Sequence, residues 1–146
     1  MPRIIKSRTY SASPEAVWDL LADFPNISRW NSGVKHSEST TSAASGVGAQ
    51  RHCDLAPFGA LEETIREWDE GKMLAISIDK AKLLPIKQGL VKFAISPDGE
   101  GSKLDFDYEY DLKFGPLGKL MQPLLKGQLD KGFDGFLDDI GTAVSA

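Results

Sequence analysis

The 146 residues, 41% hydrophobic and 26% charged, suit a single domain spanning 1–146 that buries roughly 70% of its unfolded surface. A formal charge of -4 argues against nucleic-acid and anionic-membrane partners, which select concentrated Lys and Arg. One cysteine, Cys53, excludes an internal disulfide framework and a multi-cysteine zinc site.

Arg3–Tyr10 mixes β-branched and aromatic residues with polar ones and predicts a first strand. Ser13-Pro14-Glu15 then starts a helix, with Ser as N-cap, Pro at the first helical position and an acid in the first turn. Ala16, Val17, Leu20, Leu21 and Phe24 form its apolar face, Pro25 is expected to end it, and Asn26–Trp30 reads as a second short helix. Strands follow at Val34–Ser39 and Ala49–Leu55, with a flexible hairpin tip, Thr40–Gly48, between them. Ala56-Pro57-Phe58-Gly59 turns the chain into a strand at Ala60–Trp68, and Asp69–Lys72 turns it again into Met73–Asp79. Lys80–Lys87 is an apolar loop through Leu83, Leu84, Pro85 and Ile86, and Gly89–Ser96 is the next strand, closed by a turn at Pro97–Ser102.

Lys103–Phe114 alternates throughout, with Leu104, Phe106, Tyr108, Tyr110, Leu112 and Phe114 on one face and charged residues on the other. Successive strand side chains point to opposite faces, so this is one long strand with a greasy inner face. After Gly115-Pro116, apolar residues from Leu117 to Ile140 recur at helical spacing, while Asp130, Lys131, Asp134, Asp138 and Asp139 fall mainly on the other side. Pro123 marks a kink or the true start of this helix. Gly127, Gly132 and Gly135 either pack closely on the sheet or, read as a group, leave room for a ligand. A strand, two helices, a succession of antiparallel strands and a long helix make an α+β domain. A one-sided sheet beneath a long helix can enclose a cavity.

Parity also places polar residues on the inner face. Glu63 shares a face with Leu61 and Ile65, and Arg51 with Cys53 and Leu55. A hairpin centred on Pro57 sets Arg51 directly across from Glu63, where pairing avoids a lone buried carboxylate. This pair is first a structural one, at a cavity mouth. Tyr108 and Tyr110 bring hydroxyls inward that need partners. His36 and His52 have no obvious orienting acid and no metal-ligand spacing, so no metal is expected. No phosphate loop or nucleophile elbow is present. No apolar run reaches the roughly 18 residues of a membrane helix, and the N-terminus lacks a signal-like apolar segment. The expectation is a cytoplasmic monomer or homodimer without stable membrane insertion.

Several segments together resemble the START-like helix-grip (SRPBCC) superfamily, in its polyketide cyclase/dehydrase and lipid-transport branch. They are Ser13-Pro14-Glu15-Ala16-Val17-Trp18, Asp23-Phe24-Pro25-Asn26-Ile27-Ser28-Arg29-Trp30-Asn31, Gly46-Val47-Gly48-Ala49-Gln50-Arg51 and Leu61-Glu62-Glu63. The resemblance covers nearly the whole chain. It implies a seven-stranded curved antiparallel sheet wrapped around the C-terminal helix, with an elongated apolar cavity; no cofactor is expected. Trp30, Arg51 and Glu63 match characteristic positions of that group, whereas Thr64 stands where an arginine is usual.

The leading reading is therefore binding, transport or sensing of a small hydrophobic molecule: a lipid, polyketide, quinone or aromatic compound. Its contacts would be Trp30, Arg51, Glu63, Ile76, Phe93, Phe106, Tyr108, Tyr110, Leu125, Leu129 and Phe133, with Leu83–Ile86 as a candidate gate. A second reading is a cyclase or dehydratase with Glu63 as base and Arg51 or Tyr108 stabilising an enolate. A third is a protein-interaction module with a filled interior.

Overall fold

The computed structural model describes residues 2–145. Its seven strands are β1 (Arg3–Tyr10), β2 (Val34–Ser39), β3 (Gln50–Leu55), β4 (Ala60–Asp69), β5 (Met73–Lys82), β6 (Ile86–Asp98) and β7 (Gly101–Leu112). They form one sheet in the order β1-β7-β6-β5-β4-β3-β2, with every neighbouring pair antiparallel. Helix α1 (Pro14–Ala22) and a 3₁₀ helix (Phe24–Arg29) follow β1, and α2 (Gly115–Ser145) ends the chain. This is the α+β helix-grip architecture expected from the element order and the resemblance.

Local chemistry explains most boundaries. Ser13 caps α1, its Oγ accepting from the Ala16 N–H at 3.2 Å. The expected end of α1 at Pro25 is not observed: α1 stops at Ala22, and Pro25 lies in the first turn of the 3₁₀ helix. Its fixed φ and missing N–H suit a helix start better than a stop. Two register shifts between β4 and β5 break strict alternation, at Glu62/Glu63 and at Ile65/Glu67. Beyond the second, Arg66 and Glu67 are both exposed, and Trp68 turns inward with its ring 5.0 Å from that of Trp18.

The β7 ladder is shorter than the sequence suggests. Pairing stops at Leu112 opposite Ile86, so Phe114 is not on the inner face; it is 65% exposed with φ +69°. The turn into α2 uses left-handed backbone at Phe114 and Gly115, which takes Phe114 off the pleat. Helix α2 runs unbroken through Pro123 and starts at Gly115. Gly118 lets the helix begin flush against the strand end, since a Cβ there would lie 2.2 Å from the Lys113 carbonyl oxygen.

The core lies between the inner sheet face, α1 and the C-terminal half of α2. Leu104, Phe106, Tyr108 and Tyr110 of β7 are buried with Ile65, Leu74, Leu137 and Ile140. The acids of α2 do not simply face solvent away from this core. Asp130, Asp134 and Asp138 run alongside β1, where Lys6 Nζ lies 2.8 Å from Asp130 and 2.9 Å from Asp134. Arg8 pairs with Asp134 and Asp138. Asp139 accepts from Ser32 N and Oγ, both at 2.9 Å. Charge thus clips this half of α2 along the edge strand.

Candidate functional site

A cavity of about 270 Å³ lies between the sheet and α2. It is just below the about 300–1,000 Å³ usual for ligand pockets. Its sheet wall contains Ile76, Ile78, Val91, Phe93, Phe106 and Tyr108. Helix α2 supplies Gln128, Leu129, Gly132, Phe133 and Phe136, and the rim includes Asn31, Gly33, Leu55 and Leu61. Alternation gives this surface its chemistry, because the apolar parity of β5, β6 and β7 faces the helix. Phe93, Phe106 and Phe133 form a continuous aromatic surface, with ring centroids 5.5 Å apart for Phe93–Phe106 and 4.7 Å for Phe106–Phe133.

One buried polar group interrupts this surface. The register puts Arg51 opposite Glu63, with Arg51 Nε donating to Glu63 Oε1 at 3.0 Å. Arg51 Nη1 donates to the Phe24 carbonyl at 2.8 Å, and its guanidinium lies 4.0 Å from the centre of the Phe24 ring. The Cys53 thiol points at the same carboxylate oxygen, 3.5 Å away. Burial, followed by the charge of Glu63, pushes Cys53 up to about 12, so it stays a thiol and is no nucleophile. Both contacts to Glu63 fall on Oε1; Oε2 has no hydrogen-bond partner among the described residues.

Tyr108 adds a donor. Burial, then the charge of Glu63 and then that of Tyr110, raises its phenol well above the usual tyrosine value. It is held neutral, and its hydroxyl has no hydrogen-bond partner among the described residues. Gly89 makes room for that ring, since a Cβ there would lie 2.9 Å from a Tyr108 ring carbon. The deep wall therefore presents a free carboxylate oxygen and a free phenol hydroxyl within an apolar surface.

Of the eleven anticipated contact residues, Arg51, Glu63, Ile76, Phe93, Phe106, Tyr108, Leu129 and Phe133 line this cavity. Three lie elsewhere. Trp30 packs on Phe136 with 5.3 Å between ring centres, and its indole N–H is buried without a partner among the described residues. Tyr110 stacks behind Tyr108, fully buried, and its hydroxyl is likewise unpartnered among those residues. Leu125 lines a smaller apolar pocket nearer the start of α2. Among the helix glycines only Gly132 faces the cavity; a Cβ on Gly127, Gly132 or Gly135 would meet nothing within 4 Å, so close packing explains none of them.

The Leu83–Ile86 segment is mostly wall rather than exposed loop. Ile86 opens β6 and is buried, Leu84 lines the cavity, and the Pro85 carbonyl accepts from Lys113 N at 2.8 Å. Only Leu83 stands in solvent. His52, thought to lack an orienting acid, has two: Nδ1 meets Glu62 across the strand pair, and Nε2 lies 2.9 Å from Asp54. Hydrogen bonds to Glu62 and then Asp54 raise its affinity for a proton. This group is on the outer sheet face, not in the cavity, and no cluster of three or more His, Cys, Asp or Glu among the described residues is arranged for a metal ion. On that outer face Thr64 donates to Asp79, and Arg66 brings a guanidinium to the same carboxylate at 3.0 Å. Gln128 was missed among the α2 wall residues. Its signal is the row Gln128-Gly132-Phe136, each four residues on and hence on one side of the helix.

A curved antiparallel sheet gripping a C-terminal helix over an apolar cavity defines a START-like helix-grip protein. Residues 1–144 match the family described as polyketide cyclase / dehydrase and lipid transport, and the chain belongs to that family. Solved structures of other proteins share its fold. TTHA0849 of Thermus thermophilus is 18% identical, with a TM-score of 0.82 over 98% of this chain and 97% of that one. A START superfamily protein of Mycobacterium smegmatis is 16% identical, with a TM-score of 0.82 over 98% and 97%. The Zhui aromatase/cyclase of Streptomyces sp. R1128 is 10% identical, with a TM-score of 0.84 over 99% and 93%. No curated protein matches the sequence. Among the described residues no helix is long and apolar enough to cross a membrane.

Proposed function

We propose that the protein binds a compact, largely apolar molecule carrying one or two polar groups in the cavity between the sheet and α2. The observation that supports this most is the pairing of an aromatic wall with two unused polar atoms, Glu63 Oε2 and the Tyr108 hydroxyl. Buried polar groups in a closed core are normally satisfied from within. Here both residues line the cavity. A hydroxyl on the guest can donate to Glu63, and a carbonyl or ether oxygen can accept from Tyr108. The apolar body would gain about 25 cal/mol per Å² of surface removed from water, before ordering costs. The family description is consistent with polyketide and lipid guests, and the aromatic wall would suit a quinone or other aromatic compound as well.

Catalysis ranks below binding. Glu63 is already committed to Arg51 through one oxygen, and Cys53 keeps its proton. Tyr108, on the same cavity wall, keeps its proton and acts as a donor. Native mass spectrometry of the purified chain, with competitive displacement of a fluorescent apolar probe, tests the proposal. Saturable displacement by at least one ligand class is expected. A cavity that takes up no probe and releases no bound molecule on denaturation overturns it.

A further inference from the structure

Strands β3, β5 and β7 run in the same direction, so the turns that follow them meet at one end of the sheet. Those turns carry Phe58, Leu83 and Phe114, exposed by 58%, 69% and 65%. They are contiguous: Gly59 abuts the Leu84 side chain and the Lys82 carbonyl, while Lys113 bonds to the Pro85 carbonyl through N and to the Ala81 carbonyl through Nζ. Helix α2 starts from this end and adds Leu117, Leu120, Met121 and Leu124, all exposed and spaced as one helical stripe. An apolar surface of this extent marks an interaction site.

Lysines outnumber acids around it. Segments 80–87 and 112–129 hold Lys80, Lys82, Lys87, Lys113, Lys119 and Lys126 and none of the chain's 21 acids. The acids bordering this end are fewer: Asp54 and Glu62, which share His52, and Asp111, which accepts from Gln88. The formal charge of -4 thus conceals a basic end. A second copy fits this surface poorly, since a two-fold interface sets the same patch against itself and lysine would meet lysine. An anionic bilayer fits both properties, taking the apolar side chains below its headgroups and the lysines at their level.

We propose that this end docks reversibly on anionic lipid membranes, with the first turns of α2 and the three strand turns as the contact. The contact is peripheral. It qualifies the argument from total charge, which says nothing of distribution. The surface adjoins the cavity, since Gln128 lines both the cavity and the small pocket under Met121 and Leu124. Docking does not depend on what the cavity holds.

Vesicle flotation tests the proposal, using the whole chain and vesicles of phosphatidylcholine alone or mixed with phosphatidylglycerol. The protein is expected to float with the mixed vesicles at low salt. Binding should weaken as salt shortens the screening length from about 10 Å at 0.1 M to about 3 Å at 1 M. Leu120→Glu/Leu124→Glu should lower partitioning at least about tenfold, and Lys119→Glu/Lys126→Glu should do so without touching the apolar stripe. All four positions are exposed, so circular dichroism should match the parent. Failure of the parent to float, or flotation untouched by both double variants, overturns the proposal. So does a dimer in sedimentation equilibrium that Leu120→Glu dissolves, in a protein that ignores vesicles. The readout uses protein without added ligand, so it can fail while ligand binding stands, or the reverse.

Discussion

In the C-terminal half of α2, Leu137 and Ile140 are fully buried against the sheet, while in the N-terminal half Leu117, Leu120, Met121 and Leu124 stand in solvent. Both halves carry apolar residues at the same spacing. They differ in what lies beneath. The second half rests on β7, α1 and the ion pairs from Lys6 and Arg8, whereas the first half covers only a small pocket beside Pro85 and Leu112, with Gly118 its only buried residue. Helical periodicity records that a face is apolar; tertiary structure decides whether that face meets core, ligand or a surface outside the molecule.

The largest expected effect separates the two halves directly. Ile140→Ala should cost about 2–5 kcal/mol, because the surrounding core cannot fully close the space left. Leu120→Ala should stay within about 0.5 kcal/mol. Denaturant unfolding of both variants checks this, and equal costs would erase the distinction. Gly118→Ala sharpens it within the first half. Its methyl would meet the Lys113 carbonyl, and the helix start must shift at a cost of about 1–3 kcal/mol. Gly127→Ala, with open space around its Cβ, should instead stabilise by about 0.5–1 kcal/mol.

A smaller effect concerns the charged clip on the second half. The hydrogen bond from Lys6, then a weaker opposing burial effect, then the charges of Lys6 and Arg8, hold the Asp134 carboxyl below its usual value. A carboxyl depressed by folding stabilises above its unfolded value, about 3.9, and loses that contribution as pH falls through the folded value. The melting temperatures of the parent and of Asp134→Asn should therefore differ at neutral pH and converge in acid. A constant difference down to the acid limit would show that the clip adds nothing.

Much of the fold was legible because local signals agreed with one another. The alternation of Lys103–Leu112, the Ser13-Pro14 start of α1 and the hairpin placing Arg51 opposite Glu63 all appear where periodicity and turn chemistry put them. The exceptions share a cause. Trp68 turns inward through a bulge, which adds a residue that no pattern of hydrophobicity announces. Phe114 continued the alternation in sequence, but the partner strand had ended. His52 found its acids across a strand pair and two residues on, both on the solvent face, where periodicity carries little information. In the site, strand parity identified the aromatic wall and the Arg51–Glu63 pair. It could not show that Glu63 Oε2 and the Tyr108 hydroxyl remain unused, because that depends on side-chain geometry.

The central claim is that these two atoms await a guest, and Tyr108→Phe tests it most directly. Removing a hydroxyl without a partner should leave folding stability nearly unchanged, while losing one hydrogen bond to a ligand should weaken binding about tenfold. The measurement is calorimetric titration of a hydroxylated fused-ring aromatic, 2-naphthol, into the parent and the variant. The account predicts saturable one-site binding to the parent and an about tenfold weaker constant for Tyr108→Phe. Binding of equal strength to both, or none to the parent, would contradict it.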